Sequence, residues 1–322
     1  MNLGANNMDV LAEYKALYQK YIIDRAKVII IKYNVTKKNY EYQPYSHELS
    51  SSALDKLVDL VIDNMVFYAF TENEIINRMK KFGLLDDLKV AARYAYKSRL
   101  PHRKDPNKDG TAGEVLLDML IQVFEPSSKK LIARGMYRQQ GDNNEIKGYD
   151  ALYFTQQKKE ISLWLGQVKT GSRDYCKSSI ITDLNEKYIL DYFCQSLYYI
   201  ADKVDNSHDL SNLLNDINLI CFNSIEKHWT EELKKEKIIN LLIEKEIKIK
   251  IPCLLSYTDK CYEDPVKFRA NLESSMNKMI EVLDNKKFAI DKELDHEVLF
   301  YFFPVKDISE LRNKLTTFKE VM

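Results

Sequence analysis

Glycine is scarce in this chain, nine in 322 residues, alongside seven prolines, five cysteines and two tryptophans. So few glycines leave no glycine-rich phosphate loop, which argues against nucleotide binding and places any required ATPase on another protein. Cys176, Cys194, Cys221, Cys253 and Cys261 are scattered, with no C-x-x-C and no paired Cys/His spacing. That argues against structural zinc and for reduced thiols in a cytosolic protein. Long apolar runs are missing too. Val28–Ile31 and Val61–Phe70, the latter interrupted by Asp63 and Asn64, are too short to span a bilayer. Asp9 and Glu13 fall within the first apolar pattern, unlike a signal peptide, so no membrane association and a cytoplasmic location are expected. Nor is there a surplus of charge. Lysine plus arginine (48) balance aspartate plus glutamate (48), so any DNA contact must come from a local basic patch.

What is present is ordinary for a globular protein: 45% hydrophobic and 30% charged residues. Tyrosine is abundant at 21 residues, most of them expected in the core or at its boundary and some free to stack on bases or anchor a partner. Apolar spacing predicts a helix over 8–23, followed by a strand-like run at Val28–Tyr33. A helix follows over about 53–68, behind Ser50–Ser52. Thr71-Glu72-Asn73-Glu74 has the pattern of a capping box, and Gly83 marks a break. Lys97–Gly110 has the breakers Pro101, Pro106 and Gly110 and the charges Arg99, His102, Arg103, Lys104 and Lys108, and reads as a loop. The domain boundary is placed there: residues 1–105 form a mixed, mostly helical N-terminal appendage and 106–322 the main domain.

Beyond the loop the expected order is helix 111–124, strands 130–138, 147–155 and 161–169, and helix 179–203. A helical insertion around 204–245, with a helix at 229–243, comes next. Alternation at Ile247, Ile249 and Ile251 predicts a strand running into Pro252–Leu255. Helix 264–283, strand 297–303 and helix 307–320 complete the chain. The fold class is α/β or α+β, a central mixed sheet flanked by helices.

The chemistry concentrates in two strands. Gly148-Tyr149-Asp150 opens one, and Leu163-Trp164-Leu165-Gly166-Gln167-Val168-Lys169 closes the next. Side chains two apart share a face, so Gln167 and Lys169 point the same way, and a simple hairpin register sets Asp150 opposite them. Two oxygen ligands and an ammonium then converge, a set that can hold a hard divalent cation and a water attacking phosphate. The carbonyl of Val168 is a further candidate ligand. For each residue a plainer role exists: a turn aspartate beside Gly148, a strand-end lysine, a glutamine satisfying local hydrogen bonds.

This arrangement resembles the PD-(D/E)xK nuclease superfamily, with an Asp on one strand and a (D/E)xK triplet on the next. Within it, Gly113-Glu114-Val115-Leu116-Leu117, Gly148-Tyr149-Asp150 and the strand ending at Lys169 are similar to the HamA family, nuclease subunits of Hachiman anti-phage defence. The likeness is best over roughly residues 110–200. It implies a Mg²⁺-dependent (or Mn²⁺-dependent) deoxyribonuclease that works with a separate helicase subunit. Asp150, Gln167, Val168 and Glu114 would lie on the metal, and Lys169 would assist the attacking water. The alternative is a subunit that kept the fold and lost the chemistry, because Gln167 stands where most members carry glutamate. For Glu114 two readings stand. Superfamily members often place a carboxylate at the start of this helix, yet Thr111-Ala112-Gly113-Glu114 is also a capping-box pattern. Gln195 and Tyr199 form a Q-x-x-x-Y pair resembling a motif of RecB-like relatives, with core packing of Tyr199 as the plainer reading. Arg99, Arg103, Lys104, Arg173 and Lys177 are candidate DNA-backbone contacts.

Overall fold

The structure is a computed structural model describing residues 3–36, 38–100, 109–133, 148–157, 160–203 and 210–320. Helix α1 (Leu3–Tyr18) passes through a π-turn at Gln19–Ile23 into α2 (Asp24–Ile29). Tyr14, Tyr18, Ile22, Ala26 and Ile29 are all buried, three or four residues apart. Helical spacing therefore outlasts the β-branched run expected as a strand, and β1 keeps only Ile30–Lys32. Strand β2 (Glu41–His47) leads to α3 (Ala53–Ala69), buried along most of its length. The short α4 (Glu72–Glu74) begins with the predicted capping box: Glu74 N–H donates to Thr71 Oγ1 at 3.2 Å and Thr71 N–H to Glu74 Oε2 at 3.0 Å. After a π-turn the chain reverses at Gly83, whose φ of +69° suits glycine. Helix α5 (Leu88–Arg99) follows, capped by the Asp87 side chain.

The next elements are α6 (Thr111–Phe124), β3 (Lys129–Lys130), β4 (Ala151–Gln157) and β5 (Glu160–Gly171). The expected helix 179–203 is two helices, α7 (Arg173–Glu186) and α8 (Leu190–Lys203). Ser172 starts the first, its hydroxyl accepting from Tyr175 N–H, and the chain turns at Tyr188, whose hydroxyl donates to the Leu165 carbonyl at 2.7 Å. The insertion contains α9 (Ser211–Glu226), not expected from the sequence, and α10 (Glu231–Glu244). Then come β6 (Ile247–Thr258), α11 (Phe268–Asp284), β7 (His296–Val305) and α12 (Ile308–Glu320).

Seven strands among the described residues form one mixed sheet in the order β1-β2-β7-β6-β5-β4-β3. The pairs β2–β7, β7–β6 and β6–β5 are parallel; the outer pairs are antiparallel. The sheet is buried on both sides. Leu254, Tyr301, Phe303, Trp164, Val168 and Tyr153 face a core shared with α3, α5, α6 and α12. Leu255, Phe300, Phe302, Leu163, Leu165 and Phe154 face a second core under α7 to α11. Segment 1–105 thus supplies two strands of the same sheet, and α3 packs in the same core as α6. The boundary expected near residue 105 lies outside the described residues.

Two glycines set the spacing between α6 and β5. A Cβ on Gly113 would stand 2.6 Å from Val168 Cγ1 and closer still to Thr170 Cγ2. A Cβ on Gly166 would meet Ala151 Cβ at 2.9 Å, Pro252 Cγ at 3.0 Å and Leu117 Cδ2 at 3.1 Å. Beside this seam lies a buried polar network. The Asp118 carboxylate, 2% exposed, accepts from Asn64 Nδ2 (2.9 Å), Gln122 Nε2 (2.8 Å) and the Tyr153 hydroxyl, with Lys130 Nζ at 3.8 Å. Tyr18 donates to Asn64 Oδ1, and Lys130 also donates to the Phe67 carbonyl. Every member draws on another, as buried polar groups must.

Gly113→Val should therefore cost about 1–3 kcal/mol or more through overpacking, read as a lower denaturant midpoint with an unchanged slope. Asp118→Ala should cost about 3–5 kcal/mol, because it strips the buried Lys130 ammonium of its carboxylate, and Asp118→Asn should cost less.

Candidate functional site

The register of β4 against β5 brings the aspartate to the triplet. Ala151 pairs with Gly166, and one residue earlier Asp150 N–H donates to the Gly166 carbonyl at 2.8 Å. The Asp150 carboxylate then accepts the N–H of Val168 at 2.8 Å, which sets it beside the backbone between Gln167 and Lys169. Val168 thus meets the aspartate through its N–H, a bond separate from the metal contact expected of its carbonyl. Its side chain joins the core under α6, so Gln167 and Lys169 project to the opposite face, under α7.

Helix α7 starts just past the end of β5 and runs back over it. At about 1.5 Å per helical residue, the ten residues from Arg173 to Asp183 retrace about 15 Å, or four to five strand residues at about 3.3 Å each. Asp183 consequently arrives over the triplet. Lys169 Nζ lies 2.7 Å from Asp183 Oδ2, and Lys187 Nζ lies 3.0 Å from the same oxygen. Lys187 Nζ also donates to Gln167 Oε1 at 2.7 Å. Two neighbours pin this turn: Tyr149 donates to the Lys187 carbonyl at 2.8 Å, and Tyr188 to that of Leu165. Burial, reinforced by the charges of Asp150 and Asp183, raises the Tyr188 and Tyr192 phenols above their ordinary range. Both aspartates therefore bear on one small region. Asp183 and Lys187 were not foreseen from the sequence. Their signal is an i, i+4 acid–base pair one back-stepping helix after the triplet.

Gln167 is fully buried, and its Nε2 makes no hydrogen bond. An unmade bond of this kind costs about 1–3 kcal/mol. Its neighbour across β6, Cys253, is also buried, with its thiol raised by burial. All five cysteines are buried free thiols.

Glu114 sits apart from the triplet, on the helix covering the other face. Its carboxylate accepts from the Tyr68 hydroxyl at 2.5 Å. The predicted capping box does not form there: Gly110 is the N-cap, without a side-chain cap bond, and the Thr111 N–H donates to Asp109 Oδ1. Tyr68 links the two regions, lining with Asp118, Lys130, Tyr149 and Asp150 a small cleft at the β3–β4 edge. Of the basic candidates, Arg99 pairs with Glu74 at 2.7 Å and lies over Phe70, Lys177 pairs with Asp174, and Arg173 donates to Ser275. Arg103 and Lys104 lie outside the described residues. Gln195 is exposed on α8, and Tyr199 packs partly against the second core.

Chemically the site offers two carboxylates, an amide oxygen and two ammoniums, with formal charges that cancel. Among the described residues no three His, Cys, Asp or Glu side chains gather to hold a metal. The oxygen set of Asp150, Asp183 and Gln167 nonetheless suits a hard cation in kind, since Mg²⁺ typically takes one or two carboxylates and completes its shell with water and phosphate oxygens. A positive charge, the Lys187 ammonium, already sits between Gln167 Oε1 and Asp183 Oδ2. Among the described residues no helix is long and apolar enough to cross a membrane.

No curated protein matches the chain. The HamA family matches residues 24–318, which takes in both faces of the sheet and every residue of the site. The chain belongs to the HamA family.

Proposed function

We propose that this protein is a metal-dependent deoxyribonuclease, the effector of a Hachiman-type anti-phage system, acting with a separate helicase subunit. The observation that carries the reading is the β4–β5 register, which sets the Asp150 carboxylate against the backbone between Gln167 and Lys169 at one end of the hairpin. Family membership supports the defence role. Asp150 and Gln167 would hold Mg²⁺ or Mn²⁺, with Glu114 and the Val168 carbonyl as further candidates if the cleft at Tyr68 opens to them. The ion would supply Lewis-acid activation of water and neutralisation of phosphate charge. Lys169, released from Asp183, would orient the attacking water and stabilise negative charge growing on the phosphate oxygens. Asp150 is already anchored through Val168 N–H, so its carboxylate is held in a constant direction.

A second reading is favoured by one observation. Both lysines are engaged by Asp183 and Gln167, a neutral and closed arrangement that also suits a subunit without catalysis. The helicase contact has a physical candidate in α9, where Leu219, Phe222 and Ile225 are 56%, 62% and 72% exposed along one side. Such a row of apolar side chains fits a partner surface better than solvent.

Purified protein incubated with plasmid and Mg²⁺ or Mn²⁺, alone and with its helicase, tests the activity. Asp150→Ala and Lys169→Ala should each slow cleavage by about 10²–10³ while melting normally. Cleavage at the parent rate by both folded variants would reject this site. Phe222→Glu with Ile225→Glu should abolish co-purification of the helicase without altering the melting temperature; full retention would place the contact elsewhere.

A further inference from the structure

The triplet has an amide where the superfamily pattern calls for a carboxylate, and the structure points to where the missing charge is carried. Asp183 lies over the triplet from α7, 12% exposed, with the ammoniums of Lys169 and Lys187 at 2.7 and 3.0 Å from one of its oxygens. An acidic side chain alone would say little. Two independent features of Gln167 add to it. Its oxygen is turned to the same Lys187 ammonium at 2.7 Å, and its fully buried amide nitrogen has no hydrogen-bond partner. A buried amide left half-satisfied beside a carboxylate and two ammoniums is a poor structural device and a reasonable ligand-binding one. Lys187 is an ammonium on a flexible stem at a helix end, 24% exposed, so its head can leave for water while its backbone stays pinned by Tyr149.

We propose that Asp183 supplies the second carboxylate of the divalent-cation site, and that the Lys187 ammonium holds that cation's place between Asp183 and Gln167 until the ion displaces it. This rests on reading the site as one for a divalent cation, and it assigns Asp183 and Lys187 parts the strand motif does not contain. On displacement, Lys187 leaves Gln167 Oε1 and Asp183 Oδ2 together, because its ammonium covers both, and the ion also takes Asp183 Oδ2 from Lys169. Lys169 loses its partner in the same event and is freed to face the phosphate. Metal entry and release of the catalytic lysine are thereby coupled.

The test is metal binding by the full-length protein, with Mn²⁺ by calorimetry and Tb³⁺ by luminescence lifetime in H₂O and D₂O, which counts water bound to the ion. Asp183→Asn should weaken Mn²⁺ binding by about 10–100-fold and add bound water to Tb³⁺. Gln167→Glu in that background should recover most of the affinity. Lys187→Met, which keeps the stem and removes the charge, should bind Mn²⁺ more tightly than the parent. Unchanged affinity and hydration in folded Asp183→Asn, or no tightening in Lys187→Met, overturns the proposal, as does a lack of binding by both parent and Lys187→Met. Plasmid cleavage followed in parallel separates the two readings. Cleavage by the parent with metal binding indifferent to Asp183 leaves the nuclease and removes this assignment. The expected binding changes in a parent that never cleaves DNA do the reverse.

Discussion

The contact on which the rest depends is the near-backbone approach of α6 to β5. Gly113 rests on Val168 and Thr170, and Gly166 lies beneath Leu117, with no room for a Cβ at either place. Since strand side chains alternate, this seam commits the even-numbered residues of β5 to the α6 face. Gln167 and Lys169 then have only the other face to occupy. A slip by one residue would bury Lys169 under an apolar helix and turn Val168 onto the α7 face, at the combined cost of an unpaired buried charge and a lost contact with the α6 core. Gly166 has a second duty: its carbonyl takes the Asp150 N–H, so the residue that admits α6 also positions the aspartate.

Charge is organised the same way on both faces: among the described residues, aspartates are buried where cations meet them. Asp118 on one side faces Lys130, and Asp183 on the other faces Lys169 and Lys187. The two clusters differ in how completely they are satisfied. Around Asp118 the amides, the phenol and the ammonium all find partners, and the group is almost wholly buried. Around Asp183 the lysine heads keep partial access to water and Gln167 keeps an unmade bond. The first pattern is that of a structural network and the second that of a site able to change partners.

What was legible in the sequence followed local rules. Helix α6 spans 111–124 as its apolar period required, the Thr71 capping box forms, and β5 and β6 follow the alternation read from them. The family likeness is shown by the match over 24–318. Less legible was whatever depends on tertiary return. The i, i+4 pair of Asp183 and Lys187 looks like any solvated helix face until α7 is laid back along β5. Glu114 resembled a capping-box member, but Asp109 takes the Thr111 N–H and a tyrosine 46 residues earlier takes the carboxylate. The joining of residues 30–47 to the sheet through a parallel β2–β7 pair likewise has no local signature, since its partner strand lies near the other end of the chain.

Glutamine at 167 then has a physical consequence beyond a weaker ligand. An amide oxygen holds the Lys187 ammonium by a hydrogen bond, whereas a carboxylate would add a full charge. Two unit charges about 4 Å apart attract by about 4 kcal/mol at an effective dielectric near 20. Lys187 is instead left leaning on Asp183, which it shares with Lys169. On the proposed reading, the ammonium is held well enough to keep a neutral resting site and weakly enough to yield to a doubly charged ion or to phosphate. With glutamate at 167 the resting pair would be tighter and the loaded site more negative, so the two states would each be deeper and exchange between them slower. On the proposed reading as a nuclease, an easily reversed closure is the more useful property, and an amide at 167 favours it over a carboxylate.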